Sequence, residues 1–393
     1  MINSKIKLET QIEDQLLASN ISSPSFIISE QHIINNLKKI EKLKQLTNCQ
    51  VILALKAFSN YDVFNVMKPY LDGATASSLH EAKLAREEFG GHIHTYSPGY
   101  KEQEIDEVIN YSNCITFNSL TQVQRYKDKI IENHPDKSFG IRLNPEFSDV
   151  CINLYNPCQQ YSRFGVTQTE LNPRELDFYI KGALIHTLCG KNEDSLARTV
   201  DAIEEKFGLY LYQMEWLNLG GGHMIGRDSY NIDNLAKLIN RIQNKYNLRV
   251  ILEPGEGLVL NSGFYITEVL DIMKNEIPIA ILDASATTHL PDVLEMPYRP
   301  EIHNAKPEGE AKYTYKLGGI TCLSGDILGT YSFDSPLEVG DRLIIKDTAQ
   351  YTNVKTTTFN GIQHPSITIL RQDGNLETVK SFGYQDFKSR LGS

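Results

Sequence analysis

Lys56 is the residue of this chain whose type and position most suggest chemistry. It lies within the apolar run Val51–Phe58, which is typical of a buried strand. Burial disfavours a charged ammonium, so a lysine at the inner end of such a strand is a candidate nucleophile toward a carbonyl group. Taken alone, Lys56 has a more ordinary interpretation, a lysine that extends its ammonium to water.

Four other features also follow apolar segments: Arg142, His186, the triglycine Gly220-Gly221-Gly222, and Glu253 in Glu253-Pro254-Gly255. Each has a structural explanation by itself. The glycines could form an ordinary turn, His186 could be a hydrogen-bonded core histidine, and Glu253 could mark the exit of a strand. Their meaning therefore depends on the elements that position them.

Eight strand candidates alternate with amphipathic helices, which predicts parallel pairing and a closed (β/α)8 barrel, a TIM-like α/β fold. A doubly wound open sheet is the alternative, although no GxGxxG follows an early strand. The predicted strands are Val51–Phe58, Gly73–Ala76, His92–Tyr96, Cys114–Asn118, Phe139–Leu143, Ala183–Thr187, Glu215–Leu219 and Val250–Glu253. The predicted helices are Ser78–Phe89, Lys101–Asn110, Ser119–Asn133, Glu193–Phe207 and Ile232–Tyr246.

The pattern changes near residue 262, where short apolar runs separated by Gly, Pro and Asp replace the helices. We predict an antiparallel β domain, a barrel or a sandwich, over 263–393. The early run Ser25–Ser29 is expected to join it, so that this domain is discontinuous and also contains residues 1–34. The (β/α)8 barrel is then expected over 35–262.

In such a barrel the reactive groups lie at the carboxyl ends of the strands, so Lys56, Arg142, His186 and Glu253 are expected around one mouth. The triglycine, with Gly255 in the next loop, offers backbone N–H groups to a phosphate. A lysine, a phosphate site and a carboxylate together describe pyridoxal 5'-phosphate: Lys56 would hold the aldehyde, and Glu253 would pair with the pyridine nitrogen. His186 would stack on the ring.

Composition excludes several other classes. The chain has 393 residues and a net charge of −10, which argues against nucleic-acid binding. It has neither a signal-peptide pattern nor an apolar stretch of transmembrane length, which predicts no membrane contact. Its six cysteines form no CxxC pair, which suits the cytoplasm and predicts no metal site.

These motifs resemble the alanine-racemase-fold, or fold-type III, pyridoxal-phosphate decarboxylases, which include the diaminopimelate, arginine and ornithine enzymes. The carboxyl-terminal motifs narrow the resemblance to the carboxynorspermidine/carboxyspermidine decarboxylases of polyamine biosynthesis. The motifs that carry it are Lys56-Ala57-Phe58, Tyr161–Gly165, His186–Cys189, Leu219–Gly222, Glu253-Pro254-Gly255, Asp292–Pro300, Cys322–Asp326, Ala349–Thr352 and Lys355–Gly361.

The resemblance implies a homodimer that shares its active sites. Cys322 would reprotonate the substrate carbon after CO2 is lost, and Tyr351 would lie near the cofactor phosphate, each across the interface. The resemblance also implies substrate contacts for Glu256, His289, Asp292 and Asp326. The acidic residues Asp292, Glu295 and Asp326 could engage the amines of the substrate, and some of them could instead cap turns or pair with Arg299.

Two departures from the related enzymes bear on the substrate. Ornithine and diaminopimelate enzymes commonly carry an arginine where this chain has Glu256, and diaminopimelate enzymes often carry an acidic residue where it has Leu323. Both changes favour a polyamine over a substrate with a distal carboxylate. We therefore expect decarboxylation of carboxynorspermidine or carboxyspermidine. The alternatives are another basic amino-acid decarboxylase of this fold, an amino-acid racemase, and a non-catalytic pyridoxal-phosphate carrier.

Overall fold

The computed structural model describes residues 11–171 and 180–392, which form two compact units. One unit runs from Ile33 to Val259, and the other joins the residues up to His32 with those from Leu260 onward. The boundaries that we predicted, at 34/35 and 262/263, differ from these by a few residues. Residues 1–10 of the predicted β domain lie outside the described residues.

The first unit is a closed barrel of eight parallel strands. The last strand, β9 (Arg249–Leu252), pairs with the first strand of the barrel, β2 (Gln50–Ala54). The predicted (β/α)8 barrel is confirmed, and the open-sheet alternative is wrong. Several predicted strands were too long because apolar residues continue into the loops beyond the ladder. The strands are β2 (Gln50–Ala54), β3 (Gly73–Ala76), β4 (His92–Tyr96), β5 (Cys114–Phe117), β6 (Ser138–Arg142), β7 (Gly182–Leu184), β8 (Trp216–Asn218) and β9 (Arg249–Leu252).

Helices connect these strands, and two of them begin at a serine cap that the sequence indicates. Ser78 and Ser119 each accept a hydrogen bond from the backbone N–H three residues on, so these helices begin one residue later than predicted. The helices of this unit are Glu30–Thr47, Phe64–Met67, Leu79–Leu84 with a π-helical Ala85–Phe89, Ile105–Tyr111, Leu120–Asn133, Glu193–Leu211, Ile232–Tyr246 and Glu256–Val259.

Trp216 fills the barrel interior and explains two strand glycines. Its side chain is buried, and a Cβ atom at Gly182 would lie 2.0 Å from its ring. A Cβ atom at Gly140 would lie 2.4 Å from the same ring. The indole Nε1 donates to Ser138 Oγ at 3.0 Å, so the polar edge of this buried ring is satisfied.

The second unit is built on an eight-stranded sheet. In it, β1 (Ser25–Ser29) lies between β10 (Gly263–Asn275) and β15 (Ser366–Leu370). The early strand therefore joins the late ones, as predicted. The sheet is mixed rather than antiparallel, because β1 pairs parallel to β15 and β11 parallel to β12. In each of these two pairs the strands are separated by a long stretch of chain, which parallel pairing requires. The strands are β1 (Ser25–Ser29), β10 (Gly263–Asn275), β11 (Ile277–Leu282), β12 (Tyr313–Gly318), β13 (Ile327–Phe333), β14 (Arg342–Lys346), β15 (Ser366–Leu370) and β16 (Leu376–Lys380).

Both faces of this sheet are buried at its centre, in β1 and the first part of β10. Phe26 and Tyr265 belong to one hydrophobic cluster, whereas their chain neighbours Ile27 and Phe264 belong to another. This alternation is the period of two that a strand imposes on its side chains. Short helices of this unit include Asp292–Glu295 and Tyr384–Ser389, and residues 11–17 are also helical.

Candidate active site

Lys56 lies in the turn two residues beyond β2, so the predicted strand through Phe58 was wrong. The turn carries its side chain into the mouth of the barrel, where Nζ lies 3.5 Å from Nε2 of His186. Because that mouth is concave, the side chain is accessible to solvent and yet closely surrounded by protein.

Burial lowers the pKa of Lys56, and the positive charge of Arg142 lowers it further. The charge of Glu253 opposes this shift. A lowered pKa leaves a larger fraction of the amine unprotonated at neutral pH, and the unprotonated amine is the nucleophilic form.

Arg142 ends β6 and is held rigidly. Only 4% of its surface is exposed, and Nη2 donates to the backbone oxygen of His186 at 3.1 Å. Its guanidinium lies over the rings of Tyr96 and Phe164, with 4.8 and 4.4 Å between its central carbon and the ring centroids. The aromatic faces stabilise a fixed positive charge beside Lys56.

His186 follows β7, and its ring contacts define its tautomer. The backbone N–H of Gly221 donates to Nδ1 at 3.1 Å, so the neutral ring carries its proton on Nε2. Burial, followed by the charge of Lys56, lowers the pKa of His186 well below its usual value. The Nε2–H group of His186 faces Nζ of Lys56. If Lys56 were protonated, two hydrogen-bond donors would face each other, so this contact favours the unprotonated amine.

The triglycine after β8 is required by close backbone approaches. Gly220 and Gly222 have φ of +69° and +83°, in the left-handed region. A Cβ atom at Gly221 would lie 2.2 Å from the backbone oxygen of Glu253, and one at Gly222 would lie 2.0 Å from that of Leu188. The close packing of the backbone therefore requires these glycines whether or not the turn also binds a phosphate.

Backbone donors suited to a phosphate remain at two neighbouring loops. Within residues 11–171 and 180–392, the N–H groups of Gly222 and Gly255 donate no hydrogen bond. Gly255 also admits no side chain, because its Cβ atom would lie 2.6 Å from Cβ of Ala57. Two unpaired N–H donors near a lysine fit the anionic end of pyridoxal phosphate.

Glu253 follows β9, and its side chain is 12% exposed. Burial raises its pKa, while a hydrogen bond from Asn218 to Oε1, at 2.6 Å, and the charge of Lys56 oppose that rise. Sequence reasoning missed Asn218 as a site residue. Its place beside the triglycine at the end of β8 was an available signal.

In the second unit, the Cys322–Asp326 motif contacts the Lys355–Gly361 motif. The backbone N–H of Cys322, an exposed residue, donates to Oδ1 of Asn360 at 2.7 Å. Asp326 is 3% exposed, and its Oδ1 accepts from Ser285 Oγ and Thr287 N at 3.1 and 3.2 Å. Its Oδ2 accepts from the backbone N and Oγ1 of Thr321 at 3.1 and 2.6 Å.

These contacts bear on two predicted substrate ligands, Asp326 and His289, whose assignments stay predictions. The Asp326 carboxylate accepts four hydrogen bonds, two from Thr321 in its own loop and two from Ser285 and Thr287 elsewhere in the unit, so it anchors the segment that carries Cys322. His289 is fully buried, with Nδ1 bonded to the hydroxyl of Tyr265 at 2.7 Å and Nε2 to the backbone oxygen of Gln363 at 3.0 Å. With both ring nitrogens engaged inside the unit, it has no group left for a substrate.

Asp292 and Glu295 share the ammonium of Lys355. The predicted pairing with Arg299 is wrong, because the Arg299 guanidinium lies 3.9 Å from the ring centroid of Tyr331. Two carboxylates and one lysine leave a net negative charge near this short helix. Such a surface favours a cationic ligand.

Glu256 and Tyr351 occupy loops of different units. Glu256 begins the short helix after β9, directly beyond the Gly255 turn. Tyr351 is half-buried in the loop after β14, with a φ of +51°. Their assignments to substrate and to cofactor phosphate stay predictions.

In the described part of the chain, no three His, Cys, Asp or Glu side chains are grouped as a metal site would require. Within the same residues no helix combines the length and the apolar character needed to cross a membrane.

Comparison with known proteins identifies this chemistry. A family model described as "Pyridoxal-dependent decarboxylase, C-terminal sheet domain" matches residues 26–349. The chain belongs to the pyridoxal-dependent decarboxylases. It is an enzyme of the carboxy-lyase class that uses pyridoxal phosphate, and the racemase and carrier alternatives are set aside.

Two relatives that match nearly the whole chain are named as decarboxylases of carboxylated amines. A carboxyaminopropylagmatine decarboxylase from Synechocystis is 44% identical, with 95% of this chain and 96% of the relative covered. A carboxynorspermidine/carboxyspermidine decarboxylase from Campylobacter jejuni is 38% identical, with 94% and 98% covered. The crystal structure of carboxynorspermidine decarboxylase with norspermidine, from the same species, has a TM-score of 0.88 at 37% identity and covers 94% of this chain and all of that one.

The diaminopimelate alternative is more distant. The diaminopimelate decarboxylase of Vibrio cholerae is 23% identical over 91% of this chain.

Proposed function

We propose that this enzyme decarboxylates carboxynorspermidine or carboxyspermidine, giving norspermidine or spermidine and CO2. The observation that carries the proposal is the near full-length similarity, in sequence and in fold, to the Campylobacter jejuni enzyme. Glu256 supports it, because an anionic residue beyond the Gly255 turn disfavours a substrate with a distal carboxylate.

A second candidate substrate is carboxyaminopropylagmatine, and the 44% identity to the Synechocystis enzyme favours it. All three molecules carry the same α-amino carboxylate, joined through two methylene groups to a secondary amine. They differ in the far end of the tail, which is an amine in the carboxytriamines and a guanidinium in the agmatine derivative. We propose that three acidic residues contact the tail: Glu256, Asp292 and Glu295. Asp292 and Glu295 would act as part of the charged cluster that they form with Lys355.

The barrel residues fit pyridoxal phosphate. When bound, the cofactor supplies an electron sink for the carbon from which CO2 departs. The free amine of Lys56 would attach the cofactor, and the N–H groups of Gly222 and Gly255 would hold its phosphate, with Gly220 and Gly221 shaping that turn. Glu253 would hold the proton of the ring nitrogen.

Two further residues complete the barrel site. Arg142 holds a positive charge near Lys56 and keeps its amine available, and it contributes to cofactor binding. His186, fixed as the Nε2–H tautomer by Gly221, presents a neutral ring for stacking on the cofactor.

Cys322 is the residue that we propose to complete the reaction. As CO2 leaves, the electron pair of the broken bond would be stabilised by the cofactor's electron-withdrawing ring, and the thiol would then deliver its proton to the α-carbon. Asp326 and Asn360 hold the loop that carries this thiol. We further propose that two copies of the chain form a homodimer in which Cys322 and Tyr351 of one copy would serve the cofactor of the other. We also propose that the enzyme works in the cytoplasm, because none of its six cysteines forms a disulfide.

CO2 release by the purified enzyme with pyridoxal phosphate tests the function. Carboxynorspermidine, carboxyspermidine and carboxyaminopropylagmatine are compared with ornithine and diaminopimelate by kcat/KM. We expect turnover of at least one carboxytriamine and little of the two amino acids. A clear preference for the guanidinium substrate would replace the first candidate by the second. Turnover of ornithine or diaminopimelate alone would overturn both.

A further inference from the structure

Asn218 connects two parts of the barrel site through one side chain. It ends β8 and is fully buried. The backbone N–H of Gly220 donates to its Oδ1 at 2.8 Å. Because a backbone N–H only donates, this bond fixes which side of the amide is oxygen, and the NH2 group must face the other way.

The two hydrogens of that NH2 group have two partners. Nδ2 lies 2.6 Å from Oε1 of Glu253 and 2.9 Å from Nδ1 of His94. His94 is fully buried, and burial lowers its pKa to about 3, so its ring is neutral and Nδ1 accepts. Its Nε2–H then donates to Oγ1 of Thr116 at 2.7 Å, which leaves no nitrogen of the ring unpaired.

Glu253 depends on these donors. Burial raises its pKa, and the hydrogen bond from Asn218 is the largest opposing contribution, followed by the charge of Lys56 and the hydroxyl of Thr75. Without the Asn218 donor the carboxyl group would take up a proton more readily. A protonated Glu253 could not hold the proton of a pyridine nitrogen.

The residue type at 218 follows from this geometry. An aspartate would accept from Gly220 equally well, but its second oxygen would face the carboxylate of Glu253. Two carboxylates at that distance cannot both ionise readily. Only an amide joins a backbone donor on one side to a carboxylate on the other.

We propose that Asn218, held in place by His94, is a positioning residue of this decarboxylase that orients the Glu253 carboxylate and ties it to the Gly220 turn. A single amide thereby fixes the position of Glu253, the partner of the ring nitrogen, relative to the glycine loop that would hold the phosphate. The proposal rests on the cofactor roles given to Glu253 and the glycines above, and not on the identity of the polyamine.

An infrared titration of the full-length chain tests the proposal before any substrate is added. The carbonyl stretch of a protonated carboxyl group is followed against pH, and the band that Glu253→Gln removes is assigned to Glu253. In Asn218→Ala we expect the midpoint to rise by about one to two pH units, the equivalent of a lost hydrogen bond to a charged group. Thr75→Val, nearly unchanged in shape, should shift it in the same direction by less.

Asn144→Ala is the matched control. Asn144 is also buried near a strand end, but the partners of its amide among the described residues are backbone groups of Phe164 and Glu146. It should leave the Glu253 midpoint unchanged. Titration with pyridoxal phosphate should show affinity lowered roughly tenfold or more in Asn218→Ala relative to this control.

A Glu253 midpoint in Asn218→Ala equal to that in Asn144→Ala would overturn the proposal. If Asn218→Ala does not fold, Thr75→Val decides: an unchanged midpoint there refutes the claim that these donors control Glu253. Failure of the proposed function is a separate result, because it appears as missing turnover of every carboxylated polyamine while the titration is unaffected.

Discussion

Replacing Asp326 by asparagine should disable the Cys322 loop while leaving the barrel intact. Each Asp326 oxygen accepts one backbone N–H and one hydroxyl. In Asp326→Asn the new NH2 group takes one of these oxygen positions, whichever way the amide turns. The hydroxyl there can rotate to accept from it, but the backbone N–H cannot and loses its partner.

The cost follows from these four bonds. A buried unpaired N–H costs about 1–3 kcal/mol, and each remaining bond weakens by about 1 kcal/mol when its acceptor loses its charge. The sum, roughly 3–5 kcal/mol, is a large part of the stability of an ordinary domain, which is about 5–15 kcal/mol. Because Thr321, whose N–H and hydroxyl bind this carboxylate, directly precedes Cys322, the loss should release the loop.

We expect kcat to fall about 100-fold, the usual consequence of misplacing a reacting group by about 1 Å. Amide exchange of the segment 319–327, measured by mass spectrometry, should accelerate. The absorbance of bound cofactor should persist. Asp334→Asn is the control, because Asp334 lies in the same unit with a side chain that is 72% exposed. Exchange and kcat in Asp326→Asn equal to those of the control would refute the reasoning.

Three further outcomes follow from the sites. Arg142→Gln should raise the pKa of Lys56 by removing a positive charge, so the pH midpoint for capture of pyridoxal, trapped by borohydride, should move upward. Cys322→Ala should bind cofactor normally but lose turnover or release a wrongly protonated product, identified by mass spectrometry in deuterated water. Gly222→Ala should weaken cofactor binding by roughly tenfold or more, because its Cβ atom would meet the Leu188 backbone oxygen.

Each of these variants has a matched control. Arg163→Gln removes another arginine that lies over Phe164 and should leave the capture midpoint unchanged. Cys151→Ala replaces a second exposed cysteine and should turn over normally. Gly190→Ala introduces a side chain at a φ of +65° but into open space, so it separates backbone strain from the clash at Gly222. Equal effects in any variant and its control would contradict the corresponding prediction.

The sequence determined the architecture because its signals are local. Alternating apolar runs and capped helices specified the barrel, and Ser25–Ser29 was recognisable as a strand with no partner nearby in the chain. The motifs around Lys56, His186, the triglycine and Glu253 could be joined on one mouth, since parallel strands place their carboxyl ends together.

Tertiary structure alone decided which polar groups are free to act. Asp326 and His289 look like substrate ligands in a motif, but partners from elsewhere in the second unit bury and satisfy them. Asn218 shows the opposite case. Its contacts with His94 and Glu253 join residues 124 and 35 positions apart in the chain, and no local pattern specifies them. Hydrogen-bond satisfaction in a buried site depends on the whole surrounding fold, and for that reason a residue's type and spacing cannot reveal it.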